Sequence, residues 1–149
     1  MNYAHHPAEL FPLPCACQNL RRLTRLVTRI YDQELRNADI EITQFGLLTA
    51  LATVGEVNLK ALCAGLAMDS TTLTRTLALV RKKGWVHVRQ GKDRRERLFR
   101  LTEAGKAQMT RAQRHWQAAE HRLHKGLGAG AWKELQGVVG RATSAALAE

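Results

Sequence analysis

Lysine and arginine side chains, which bind polyanions, are concentrated in the middle of this chain. Residues 70–114 hold 13 of the 23 Lys and Arg residues but only 3 of the 13 Asp and Glu residues. The formal net charge of +10 therefore belongs to this segment, because the remaining residues balance. A surface that served only solubility would mix charges of both signs. The distribution predicts a polyanionic partner, either a nucleic acid or an anionic membrane.

A second group of residues combines short hydroxyl side chains with one long cation near the start of a predicted helix. Its members are Ser70, Thr71, Thr72, Thr74 and Arg75. Hydroxyls can bond phosphates or base edges, and an arginine can bind guanine through two hydrogen bonds. The group therefore suits the major groove of DNA, and a backbone phosphate could also bind at the helix N-terminus.

Three cations near the other end of the same helix are candidates for contacts to the DNA backbone: Arg81, Lys82 and Lys83. Cations at a helix C-terminus also complement the helix dipole, without any partner. Both interpretations stay open for these residues.

Four charged residues form a predicted turn, Lys92, Asp93, Arg94 and Arg95. An acid in so basic a turn would oppose phosphate binding unless it has a role inside the protein. We expect Asp93 to orient Arg95 through a charge-assisted hydrogen bond, so that Arg95 enters the minor groove. The alternative is a charged turn that is merely solvated.

The hydrophobic pattern predicts four helices before Gly84, and the fourth of them carries the serine and threonine residues named above. Apolar side chains recur at helical spacing over residues 18–35, 44–54 and 59–67. Thr43 is placed to cap the second of these helices, and the fourth begins at Asp69 or Ser70 and ends before Gly84. Because residues 67–69 make a short turn, the third and fourth helices form a helix-turn-helix.

After Gly84 the pattern changes from helical to alternating. Residues 85–88 and 97–101 are predicted to form a β-hairpin, whose tip is the charged turn. A long helix should follow from 103 to about 125, and a last helix over 131–147. Three glycines are expected to separate them: Gly126, Gly128 and Gly130. The predicted fold class is mainly α with a small β-hairpin wing, in the order of four helices, two strands and two helices.

Several segments together resemble the multiple-antibiotic-resistance regulators, the MarR family, from about Leu20 to Leu147. Three of them are residues 42–48, 69–75 and 84–86. The most specific is Asp93-Arg94-Arg95 with the later run Leu101-Thr102-Glu103-Ala104-Gly105, which is similar to the wing and following helix start of that family.

The resemblance implies a winged helix-turn-helix regulator that forms an intertwined homodimer. Recognition helices would lie in successive major grooves of a palindromic operator, with wings in the flanking minor grooves. Residues 1–16 would be an irregular N-terminal arm and 17–149 a MarR-type domain. Within it, 17–42 and 103–149 would dimerise and 43–102 would bind double-stranded DNA. Repression, with release by a small aromatic ligand or by an oxidant, is the implied mode of action.

Two thiols at the start of the first helix are candidate sensors. Cys15 and Cys17 have arginines one turn away, and the helix dipole with these cations favours the reactive thiolate. Cys17 precedes Tyr31 by fourteen residues. That spacing is similar to the sensing cysteine and a tyrosine of the organic-hydroperoxide repressors within the family, although Ile42 stands where those proteins have a second tyrosine. Oxidation sensing, soft-metal binding and a structural role all remain open. Cys63, on an apolar helix face, is expected in the core.

The sequence offers no catalytic motif, so we expect neither an enzyme nor a cofactor. His115, His121 and His124 have no nearby Cys or Asp that would complete a four-ligand metal site. No segment is apolar enough to span a membrane and no secretory signal is visible, which favours the cytoplasm and free thiols. Two alternatives to a regulator remain: a sequence-independent architectural protein that binds nucleic acid, and a thiol-based redox sensor that acts by protein contact.

Overall fold

The computed structural model describes residues 11–148, which form a mainly helical fold with one small sheet. The helices are α1 (Ala16–Leu35), α2 (Ile42–Val54), α3 (Leu59–Leu66), α4 (Ser70–Lys82), α5 (Glu103–Leu127) and α6 (Ala129–Leu147). The strands are β1 (Val57–Asn58), β2 (Val86–Gln90) and β3 (Arg97–Leu101), and a 3-10 turn covers Arg36–Ala38. The predicted fold class is confirmed. Residues 1–10, most of the predicted arm, lie outside the described residues.

The sheet has three antiparallel strands in the order β1-β3-β2, where the sequence predicted a two-stranded hairpin. Val57 of β1 pairs with Phe99, and Asn58 pairs with Leu98. A strand of two residues is too short to show alternation, so the pattern could not reveal it. The first strand of the hairpin runs from 86 to 90 rather than from 85 to 88, while the return strand matches its predicted bounds.

The predicted cap of α2 is wrong. Thr43 lies inside the helix, which begins at Ile42 after Glu41. The backbone N–H of Ile42 instead donates to Asp32 Oδ1 of α1 at 2.7 Å. A carboxylate ten residues earlier thus serves the helix start, a contact that local sequence rules do not include. The prediction for α4 is confirmed, since Asp69 is its cap.

Only one of the three glycines between the last two helices breaks the chain direction. Gly128 has φ +78°, in the left-handed region that favours glycine, and it separates α5 from α6. Gly126 and Gly130 are accommodated within α5 and α6 respectively. Helix α1 begins at Ala16, the last residue of the predicted arm and two residues before the predicted start of the helix.

The core joins α2, α4 and the sheet. Leu47, Leu48 and Leu51 of α2 are at most 1% exposed, and Leu73, Leu77 and Val80 of α4 are buried beside them. Each such side chain stabilises the fold by about 1.5–3 kcal/mol relative to exposure. Because Leu73, Leu77 and Val80 occupy one face of α4, its opposite face is presented to solvent. Cys63 packs against this core, as predicted.

No helix within residues 11–148 combines the length and apolarity that crossing a membrane requires. The described residues also contain no cluster of three or more His, Cys, Asp or Glu side chains arranged to hold a metal ion.

Candidate DNA-binding site

The exposed face of α4 carries the five residues that the sequence proposes for the major groove, Ser70, Thr71, Thr72, Thr74 and Arg75. Ser70, Thr71, Thr74 and Arg75 are all exposed, and their side chains make no hydrogen bond to another described residue. Buried Leu73 and Leu77 alternate with them at helical spacing and hold the helix against the core. The structure therefore brings donors and acceptors together on one unoccupied helical surface.

Thr72 has a different role from its neighbours because it completes the cap of α4. Its backbone N–H donates to Asp69 Oδ1 at 2.8 Å, and its hydroxyl donates to Asp69 Oδ2 at 2.6 Å. These hydrogen bonds hold the pKa of Asp69 below its ordinary value. The hydroxyl proton of Thr72 is thus committed to the helix start, although the side chain is exposed.

The three cations at the C-terminal end of α4 fall into two groups. Arg81 and Lys82 are exposed at the C-terminal end of the helix. The ammonium of Lys83 donates to the carbonyl oxygen of Asp39 at 2.7 Å and lies 4.5 Å from the centre of the Trp85 ring. Lys83 therefore ties the end of α4 to the connection between α1 and α2.

The tip of the hairpin is built around Asp93. Its Oδ1 accepts a hydrogen bond from the backbone N–H of Arg95 at 2.9 Å, and its carbonyl accepts from the N–H of Glu96 at 2.9 Å. The expected contact between Asp93 and Arg95 is present, but it fixes the main chain rather than the guanidinium. Lys92, Arg94 and Arg95 remain exposed around it. The acid therefore shapes the turn and leaves the arginine side chains available to an anion.

Two polar contacts connect the hairpin to the rest of the domain, and the sequence did not predict them. Arg89 of β2 holds Glu56 by a forked ion pair, in which Nε donates to Oε2 at 2.7 Å. Arg89 keeps the pKa of Glu56 below its ordinary value. Glu96 at the base of the tip accepts a hydrogen bond from Asn58 of β1 at 2.9 Å. The paired residues are 33 and 38 positions apart, so no local motif signals them.

The geometry at the start of α5 shows why Thr102 and Gly105 occur in the run Leu101-Thr102-Glu103-Ala104-Gly105. Thr102 caps the helix by accepting from the N–H of Gly105 at 3.0 Å, and its hydroxyl donates to the carbonyl of Gly84 at 2.7 Å. A Cβ at Gly105 would collide with the carbonyl oxygen of Trp85. Threonine and glycine are therefore both needed for α5 to begin against the end of α4.

The candidate sensor residues are not brought together within one chain. Cys15 and Cys17 are exposed at the start of α1, whereas Tyr31 is buried near its other end. Fourteen residues of helix separate Cys17 from Tyr31 by about 21 Å. The phenol of Tyr31 donates to Glu120 of α5, and burial together with this carboxylate raises its pKa. Arg22 bonds the carbonyl of Phe11 at 2.6 Å rather than a thiol.

A cavity of about 520 Å³ lies between the 3-10 turn, Trp85 and α5. Three arginines, Arg36, Arg111 and Arg114, contribute to its wall. Such a lining offers an aromatic surface beside cations, a combination that suits an aromatic carboxylate.

Comparison with known proteins links this geometry to DNA-binding regulators. Residues 38–96 match the model of the MarR family. The chain is 31% identical to the uncharacterised HTH-type transcriptional regulator YwoH of Bacillus subtilis over 84 residues, which are 56% of this chain and 61% of that protein. It is 32% identical to the HTH-type transcriptional regulator SarZ of Staphylococcus haemolyticus over 90 residues, 60% of this chain and 61% of that one.

The likeness in structure extends further along the chain than these alignments. The transcriptional regulator MosR of M. tuberculosis, in complex with DNA, superimposes with a TM-score of 0.75 and 29% identity. The match covers 89% of this chain and 98% of that one. By contrast, the chain spans about 61% of the length of the two curated relatives.

Proposed function

We propose that this chain is a MarR-family transcriptional regulator that binds a palindromic DNA operator as a homodimer. The observation that carries the proposal is the exposed polar face of α4, a helix that packs against β2 of the hairpin with the basic tip. MosR, similar over nearly its whole length, is seen in complex with DNA. No catalytic activity is assigned, and the protein acts in the cytoplasm.

Helix α4, the cations at its C-terminal end and the hairpin tip each have a role in this proposal. Thr71, Thr74 and Arg75 read base edges in the major groove, with Ser70 and Thr72 beside them. The tip, Lys92 to Arg95, lies in the minor groove, where Arg95 is attracted by the negative potential. Arg81, Lys82 and Lys83 favour phosphates by their charge, and Lys83 also keeps its contact to Asp39.

A second copy of the chain would cover the apolar faces of the outer helices. Leu20, Leu23 and Leu26 of α1 are 40–56% exposed, and Val138 and Val139 of α6 are each 51% exposed. Helix α6 buries no residue within one chain. Several large apolar side chains exposed along one helix are typical of an interface. Residues 17–42 and 103–149 therefore form the dimerisation region, and 43–102 the DNA-binding region.

Selection of bound duplexes from a random DNA pool tests the proposal directly. We expect the wild-type protein to enrich a palindrome and to give a discrete footprint, because a homodimer presents two identical DNA-binding regions related by a two-fold axis. Enrichment of no sequence would instead identify an architectural protein. A redox response with no DNA binding would identify a sensor that acts by protein contact.

Release from DNA is proposed to follow capture of a small aromatic acid or oxidation of the exposed thiols. The cavity beside Trp85 supports the first route, and the exposure of Cys15 and Cys17 supports the second. Operator binding should be measured before and after peroxide, arsenite and an aromatic acid. The comparison needs wild type, Cys15→Ser/Cys17→Ser, and Cys63→Ala as the matched thiol control. A double variant that responds as wild type does would refute the thiol route.

A further inference from the structure

The side chain of Asn58 connects the hairpin wing, residues 86–101, to the start of α3, in addition to the backbone pairing of Asn58 with Leu98. We propose that Asn58 is a positioning residue for DNA recognition, because its amide holds the base of the wing and caps α3 at the same time. The inference rests on the DNA-binding function proposed above. It adds a residue that lies outside the recognition helix and outside the basic tip.

The two ends of the Asn58 amide make different hydrogen bonds. Oδ1 accepts from the backbone N–H of Ala61 at 2.9 Å, and Nδ2 donates to Glu96 Oε1 at 2.9 Å. Only the oxygen can serve an N–H, and only the NH2 can serve a carboxylate, so the chemistry fixes the orientation of the amide. Asn58 and Glu96 are both half-buried, which limits competition from water.

Glu96 is well placed to transmit the position of Asn58 to the tip of the wing. Its carbonyl accepts from the N–H of Gly91 at 2.8 Å, and its own N–H donates to the carbonyl of Asp93 at 2.9 Å. Its side chain also lies against Gly91, where a Cβ would collide with it. A shift of Glu96 would therefore shift the turn that carries Arg95.

Fixing the wing relative to α3 matters because one duplex must meet both surfaces at once. A wing that moved independently would lose conformational freedom on binding, which weakens the complex. The ion pair between Arg89 and Glu56 restrains β2, and the bond from Asn58 restrains the far side of the turn at Glu96. Together they hold the hairpin on both of its strands.

Substitutions at Asn58 and Glu96 can disrupt the hydrogen bond between these two side chains while the cap of α3 is kept. Asn58→Asp keeps an equally good helix cap but removes the donor and sets two carboxylates against each other. In Asn58→Asp/Glu96→Gln, the new glutamine amide can donate to the new carboxylate. The double variant also has the net charge of wild type, so it controls for the added negative charge. Glu96→Gln alone keeps an acceptor for Asn58.

Two readouts should be combined: amide hydrogen exchange of residues 88–98 and 59–66, and affinity for the operator that wild type selects. Asn58→Asp should speed exchange in 88–98 and weaken operator binding, each by about tenfold, the order expected for a hydrogen bond to a charged group. Exchange in 59–66 should stay unchanged. The double variant should recover both values. In an Arg95→Ala background, Asn58→Asp should change affinity by less than about twofold, since the wing contact is already lost.

Three results would overturn the role of Asn58: unchanged exchange in the wing, no recovery in the double variant, or an equal loss of affinity with and without Arg95. The last would indicate a general effect on folding or charge. If wild type selects no DNA sequence, the proposed function fails and takes the recognition role with it. A failure of Asn58→Asp alone leaves the proposed function standing.

Discussion

The cations proposed to contact DNA differ in whether another residue of the protein already binds them. Arg75 and Arg95 are exposed without an intramolecular partner for their guanidinium groups among the described residues, whereas the ammonium of Lys83 is held by Asp39. The sequence offers all three as candidate DNA contacts and leaves a helix-dipole role open for Lys83, because charge and helix position do not reveal an acceptor 44 residues away. The place of Asp93 in a basic turn predicts a role inside the protein, and the structure differs in the donor, which is the backbone N–H of Arg95 rather than its guanidinium.

Replacing Arg75 or Arg95 by Ala should produce different losses. Arg75→Ala removes a base contact and should weaken binding to the selected operator by about tenfold or more, with little change for random duplexes. Arg95→Ala should weaken both duplexes similarly and reduce the dependence of binding on salt. Fluorescence anisotropy over a salt series measures both effects.

Arg141→Ala provides the matched control, since it removes one exposed arginine from α6, away from the DNA-binding residues of α4 and the hairpin tip. Because α6 belongs to the proposed dimerisation region, the comparison is made at concentrations where sedimentation equilibrium shows both variants to be dimers. The affinities of Arg141→Ala should stay within about twofold of wild type. Identical behaviour of Arg75→Ala and Arg141→Ala would contradict the assignment of Arg75 to base reading.

The cap at Asp69 predicts a dependence of stability on pH. Its pKa is lowered in the folded protein by hydrogen bonds from Thr72, so its stabilisation is present above the unfolded value of 3.8 and lost as the pH falls through the folded value. Asp69→Asn keeps the acceptor but does not titrate. The melting temperature of wild type should therefore fall more steeply below about pH 4 than that of Asp69→Asn. Parallel melting curves across this range would count against the contribution of the carboxylate.

Among the elements, the helices and the turns between them were predictable, whereas features held by partners from other segments were not. Helical spacing of apolar residues located α1 to α6, since each carries apolar side chains at helical spacing. Strand β1 and the cap of α2 depend on partners from distant segments: Phe99 for Val57, and Asp32 for Ile42. Contacts of that kind leave no local periodicity, which is why both were missed.

The junction between α4 and α5 predicts opposite effects for the same substitution at two glycines of α5. Gly105→Ala would force a Cβ against the carbonyl oxygen of Trp85 and should destabilise the fold by about 1–3 kcal/mol. Gly126→Ala meets open space in a helical position and should stabilise it by about 0.5–1 kcal/mol. Urea unfolding of both variants gives the comparison. Equal free energies of unfolding would show that the close approach at Gly105 carries no constraint.

At the scale of the whole molecule, the exposed apolar faces of α1 and α6 predict that one chain is an incomplete unit. Val139→Asp places a charge on the proposed interface and should convert a dimer to a monomer in sedimentation equilibrium, with loss of operator binding. Val54→Asp is the matched control, because Val54 is 58% exposed on α2, outside the proposed interface. Dimers that persist in Val139→Asp would place the interface elsewhere.

The central claim is that the chain reads a DNA sequence rather than only its charge. The most direct measurement compares equilibrium binding to the selected palindrome and to a scrambled duplex of equal length, at several salt concentrations. We expect a preference of about a thousandfold or more for the palindrome, retained as salt weakens both complexes. Equal affinities for the two duplexes, abolished together by salt, would contradict it.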